Sequence, residues 1–148
     1  MNWRIENACA LAVHGGGNAP AEFVKVSLIA EVLHRFCIGL CLLKEGLIDS
    51  LDLVDVDSAQ AIRLQASSQA TSVQIGRGKI VLSLREIELE RWVHFTLRTV
   101  RDGVAEVDHF DVEAMPEKLG THAITVVVAF PSSVPPVSPD EARRRLGL

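Results

Sequence analysis

The segment EVDHFDVEA, residues 106–114, holds the densest set of side chains able to do chemistry. On an extended chain His109, Asp111 and Glu113 point to one face, while Asp108, Phe110 and Val112 point to the other. A histidine beside two carboxylates can serve general acid–base or metal chemistry. The same pattern also makes a solvated strand face, or an edge kept from aggregating by its charges. A second set is His34, Cys37 and Cys41, which fall within about 60° of one another around a helix and would offer three soft ligands to zinc or copper. The sequence supplies no fourth ligand, and packed thiols are the competing reading. Cys9 has no activating neighbour and reads as structural.

Residues 14–20, HGGGNAP, raise the question of a phosphate cradle or an oxyanion hole. The His-Gly-Gly-Gly run resembles the oxyanion-hole loop of esterases and lipases of the α/β-hydrolase class, in which backbone amides face a developing negative charge. The resemblance covers four residues, and the G-x-S-x-G elbow that must accompany it is absent from the chain. No G-x-x-x-x-G-K-[ST] loop is present either, and Glu22 would repel an anion at a helix entrance. A simple chain connection is the reading that remains.

Acidic residues recur in two places. Asp49, Asp52, Asp55 and Asp57 form a cluster without Lys or Arg among them. With Glu106, Asp108, Asp111, Glu113 and Glu117 they would make one side of the molecule strongly negative, a surface suited to steering a basic partner. Two unrelated solvated segments are the alternative. Arg143 to Arg145 form the basic counterweight near the C-terminal end.

The elements that must position these groups follow from composition and periodicity. The chain has 148 residues, 48% of them hydrophobic, and suits one compact body with one core. The net charge of −4 and a pI near 5.7 exclude the basic stripe of a general nucleic-acid binder. Three cysteines without a disulfide-framework spacing suit a reducing cytoplasm, and the opening residues lack the apolar run of a secretory signal. The apolar stretch from Val26 to Leu43 is broken by Glu31, His34 and Arg35 before it reaches the roughly 20 residues of a membrane span.

Pro20, with Asn18 or Ala19 as N-cap and Glu22 in the first turn, predicts the start of a long apolar helix. Its stripe is Val26, Ile29, Ala30, Leu33, Phe36, Cys37, Leu40 and Cys41, and Ile38 with Leu42 make its second half apolar all round, as a homodimer contact would be. From Leu51 the rhythm alternates through LDLVDVD, AIRLQAS, TSVQIGR and KIVLS, which predicts antiparallel strands with a turn at Gly76 to Gly78. Residues 84–100 fit a helix or a strand hairpin. Ser83 and Glu86 as a capping box and Gly103 as a stop favour the helix. Two strands follow, around 104–114 and 122–130, then a Pro-rich extended tail over 131–148 with a short DEARRRL turn. No internal repeat is visible.

These elements predict an α+β domain over residues 1–130: an antiparallel sheet of about six strands with one long apolar helix and a second helix packed on it. No catalytic motif has its required companions, so the expectation is a small acidic cytoplasmic protein-binding module, of the immunity, antitoxin or secretion-chaperone type, masking a basic partner protein. Asp52, Asp55, Asp57, Asp108, His109, Asp111 and Glu113 are its expected partner-binding residues. Neither cofactor, metal, nucleic acid nor membrane enters this expectation. A helix wrapped by an antiparallel sheet is also the plan of hotdog-fold thioesterases, and that alternative would use Glu31 or the Asp111/Glu113 pair as acid and base.

Overall fold

The structure, a computed structural model, describes residues 1–15, 21–105, 107–116, 123–134 and 138–147. Eight strands run in chain order: β1 (Asn2–Gly15), β2 (Ala21–Leu28), β3 (Ser50–Asp55), β4 (Ala61–Ser67), β5 (Ser72–Ile75), β6 (Lys79–Arg85), β7 (His109–Pro116) and β8 (Ile124–Ala129). Helix α1 (Leu33–Lys44) links β2 to β3, α2 (Glu86–Asp102) links β6 to β7, and α3 (Pro139–Leu146) follows β8. The strands close into a barrel in the order β1-β2-β8-β7-β5-β6-β4-β3.

This barrel overturns the expected antiparallel six-strand sheet with its long helix. Pairing is mixed: β1–β2, β3–β4, β5–β6 and β7–β8 are antiparallel, whereas β1–β3, β2–β8, β4–β6 and β5–β7 are parallel. Parallel neighbours need long crossovers, and the two helices supply them in part. Consecutive strands therefore alternate in direction, and the described β3–β4 and β5–β6 turns lie at one end of the barrel, with the β4–β5 link at the other. Both helices also lie at that other end.

The same topology occurs twice. Two antiparallel strands, a helix and two more antiparallel strands make up β1-β2-α1-β3-β4, and again β5-β6-α2-β7-β8, with matching neighbours in each half. No sequence repeat announces this, because topology constrains only where apolar side chains face. Rows of inward residues run across the seams between the halves: Leu51, Leu64, Leu82 and Val73 across β3, β4, β6 and β5, and Phe110, Val128, Val26 and Leu11 across β7, β8, β2 and β1. An eight-stranded barrel is just wide enough for such side chains to fill, and most of these are fully buried.

The helix expected from Pro20 is the largest single correction. Residues 21–28 form β2, with Val24, Val26 and Leu28 buried and Lys25 exposed between them. Val26, Ile29, Ala30 and Leu33 do match a helical stripe, but the alternation from Val24 to Leu28 matches a strand equally, and closure of the barrel decides between them. Asn18 to Pro20 lie outside the described residues. The helix that forms is only 12 residues long. Its apolar far side is covered within the chain: α1 packs on α2, and Leu42 adds to the core. The core cluster joins the barrel's inward side chains to Leu33, Phe36, Leu40 and Leu43 of α1 and to Leu89 and Trp92 of α2.

The helix reading of residues 84–100 agrees with α2, which ends as expected at Gly103 in the left-handed conformation (φ 76°). Its start differs. The N-cap is Arg85, and Ser83 lies in β6, where its hydroxyl accepts a hydrogen bond from Gln65 Nε2 at 2.9 Å. The short turn expected at DEARRRL is α3, capped by Ser138 and resting against α1.

Gly39 fixes how closely α1 approaches the wall. A Cβ there would stand 2.9 Å from both terminal carbons of Leu51 and 3.0 Å from Trp3 Cε3. Gly39→Ala is expected to cost about 1–2 kcal/mol in urea denaturation, overpacking outweighing the gain of about 1 kcal/mol in helix propensity. In a Leu51→Ala background, where the clash is gone, the same substitution is expected to cost less.

Candidate functional site

The two acidic clusters stand on opposite sides of the barrel. Around the closed wall, β3 and β7 are four strands apart in either direction. The expected single negative face is therefore not assembled, and the seven candidate residues divide into two groups with different surroundings.

Asp52 faces outward on β3 yet is 1% exposed. Arg63, directly opposite on β4, holds it through two hydrogen bonds: Nε donates to Oδ1 at 2.8 Å and Nη2 to Oδ2 at 3.0 Å. Asn2 Nδ2 donates to Oδ2 at 3.2 Å, and Ser50 Oγ donates to Asn2 Oδ1 at 2.6 Å. Burial alone would raise the Asp52 carboxyl; the Arg63 and Asn2 hydrogen bonds and the Arg63 charge outweigh it and hold the group below its ordinary 3.8. Asp55 is spent likewise on structure. Its carboxylate accepts from the Leu11 amide at 3.1 Å and from Ser58 Oγ at 2.8 Å, tying the β3–β4 turn to β1. Asp57 is exposed on that turn, and Asp49 is exposed beside the amino group of Met1.

The β7 group is the opposite case. His109, Asp111 and Glu113 project outward from alternate positions while Phe110, Val112 and Ala114 are buried. Asp108, expected within the strand on the face of Phe110 and Val112, precedes the strand and is exposed, with Oδ1 2.7 Å from His109 Nδ1. Thr125 Oγ1 donates to Glu113 Oε1 at 2.6 Å. Asp111 makes no side-chain ion pair among the described residues.

The duplicated topology makes the two groups directly comparable. Pairing aligns Asp52, Arg63, Val81 and Gln74 around one half of the outer wall, and Asp111, Val127, Lys25 and Ala12 around the other. Where Asp52 meets an arginine, Asp111 meets a valine. Lys25 lies one strand further, about 10 Å from Asp111 at the usual strand spacing. Beside Asp111 the outward residues of β8 are Thr125, Val127 and Ala129; beyond them β2 presents Lys25 and Ser27, and β1 presents Ala10 and Ala12, with His14 stacked on Phe23 at 4.1 Å.

The remaining candidates do not converge. Glu31 is exposed on a 3-10 turn before α1, and the Asp111/Glu113 pair lies on an outer wall, so neither faces the interior of a helix-wrapping sheet. Glu106, Glu117 and Gly16 to Pro20 are outside the described residues; His14 ends β1 exposed. Among the described residues no group of three His, Cys, Asp or Glu is placed to hold a metal, which removes the His34, Cys37 and Cys41 reading. Burial, then the charge of Asp55, pushes the Cys9 thiol up to about 12, and burial, then Cys41, pushes Cys37 to about 12. Neither is a thiolate at neutral pH. No described helix is long and apolar enough to cross a membrane.

Neither a protein-family model nor a curated protein matches this chain. Sequence reasoning had no signal for Arg63 as the partner of Asp52, since the two stand 11 residues apart and only the β3–β4 register joins them.

Three measurements check these assignments. Arg63→Met leaves Asp52 buried without its cation and is expected to cost roughly 2–3 kcal/mol at pH 7, the value for a buried pair discounted because Arg63 is partly exposed. Because the folded Asp52 carboxyl is depressed, its stabilisation is complete above the ordinary 3.8 and disappears as pH falls through the lower folded value. Acid titration of stability in Asp52→Asn is expected to lack that loss. A thiol reagent is expected to label Cys41 in the native protein and to reach Cys9 and Cys37 only after unfolding.

Proposed function

We propose that the protein is a binding module that docks a basic partner protein on the outer face of β7 and its neighbours. The observation that carries this reading is the contrast between equivalent positions: Asp52 is neutralised by Arg63, whereas Asp111 faces Val127 and stays open to solvent. Asp111 and Glu113 on the strand and Asp108 just before it are all exposed, and such carboxylates steer and receive cationic groups. The short outward side chains of β8 beside it, Val127 and Ala129, can be covered at little entropic cost. Asp57 on the far turn is too distant to join this face, and Asp52 and Asp55 have structural duties.

The inward wall supports a binding role over a catalytic one. Its described side chains are aliphatic or aromatic apart from Cys9, which burial keeps protonated, so they supply no acid or base. The hotdog thioesterase reading loses its structural premise with the closed barrel.

The test is affinity capture from the native host's extract at low ionic strength, comparing the wild type with Asp111→Asn/Glu113→Gln. A basic protein retained by the wild type and lost from the double variant is the expected result, with retention falling as salt rises. Equal retention by both forms, or none by either, would reject the proposal.

A further inference from the structure

Two strands of the barrel differ sharply in length, and the difference leaves an edge of β7 without a strand partner among the described residues. β1 has 14 residues and pairs with β3 from its first residue onward, whereas its counterpart β5 has 4. β5 reaches β7 only at Met115 and Pro116, where Ser72 and Val73 lie beside them and Met115 N–H donates to Thr71 O at 3.0 Å. From His109 to Ala114, β7 has β8 on one side, and among the described residues no strand pairs with the other.

The direction of the backbone groups on that side is fixed by the bonds that do form. Phe130 N–H reaches Asp108 O on the β8 side, while Arg91 Nη1 reaches Asp111 O at 3.2 Å and Thr71 takes Met115 N–H on the other. Alternation along an antiparallel strand therefore turns the N–H and C=O groups of His109, Asp111 and Glu113 toward the open edge. These residues also carry the exposed acidic row. Backbone donors and acceptors and two carboxylates thus occur on the same three residues.

We infer that this edge receives an extended segment of the partner as an added strand, the segment alternating basic with apolar side chains. The inference rests on the docking reading above and names the form of the partner. An added strand would lie about 4.8 Å from β7, so its outward residues would stand beside Asp111 and Glu113 and match them best as Lys or Arg. Its inward residues would face the seam between β7 and α2, where Phe95 stacks on Phe110 at 5.7 Å, and match it best if apolar. Arg91 already occupies part of this place: its guanidinium lies 5.8 Å over the Phe95 ring and donates to the Asp111 carbonyl, a bond that a backbone N–H of the added strand would take over. A second copy of the chain fits poorly, since pairing two β7 edges would bring acidic rows together.

The probe is a fluorescent peptide of four Lys-Val repeats, read by anisotropy, beside the same sequence N-methylated at alternate residues. Both carry equal charge, but the methylated form cannot complete a strand ladder. The unmethylated peptide is expected to bind, to slow amide hydrogen exchange at Asp111 and Glu113, and to weaken about tenfold in Asp111→Asn/Glu113→Gln. Equal binding of both peptides without slowed exchange would overturn the added strand and leave the acidic face as a docking surface. Failure of both peptides, with a basic protein still captured through Asp111 and Glu113, would also overturn it alone. Failure of that capture as well would remove the reading on which it rests.

Discussion

Two parallel seams, β2 beside β8 and β4 beside β6, are the constraint on which the rest of the molecule depends. Each half, taken alone, is a four-stranded sheet with an apolar row on one side and nothing to cover it. At the seams, Val24 and Val26 meet Val126 and Val128, and Ile62 and Leu64 meet Ile80 and Leu82, so the two apolar rows become one continuous inner wall. A slip of one residue at either seam would turn that wall outward. The strong register of these seams is therefore a consequence of burial, and it in turn fixes which residues of every strand face water.

Once the inner wall is set, the outer wall is free to diverge between the halves. One half answers its strand carboxylate with Arg63, Asn2 and Ser50 and becomes a closed polar network. The other places Val127 opposite Asp111 and shortens the strand that would have covered the β7 edge. The first arrangement strengthens the barrel; the second leaves the Asp111 carboxylate without an ion pair and His109 to Ala114 without a strand partner on one side, among the described residues. Helix placement follows the same logic, since both crossovers leave from one end of the barrel and the core runs unbroken from the inner wall into the α1–α2 pair.

The strands from Leu51 to Ile80 were legible because their apolar residues alternate over several positions, a pattern that a helix does not produce. β2 was misread for a physical reason: Val26, Ile29 and Leu33 satisfy a helical period, and Pro20 with Glu22 imitate a helix start. Five alternating residues are too few to outvote them until neighbouring strands offer partners for their hydrogen bonds. Ser83 and Glu86 likewise have the spacing of a capping box, yet Ser83 is held in β6 by the ladder to β4 and by Gln65, and the helix begins after it.

By itself the sequence determined which side chains prefer burial, where α2 stops at Gly103, and that His109, Asp111 and Glu113 share one face of a strand. These are properties of a residue and its near neighbours, set by sterics and by the period of the backbone. Tertiary structure alone decided that Asp52 is buried against Arg63, that the two acidic clusters lie on opposite walls, and that the chain closes on itself as two like halves. Each of those depends on strand pairing between residues remote in the chain, where the free energy comes from covering an apolar row that only the partner strands can cover.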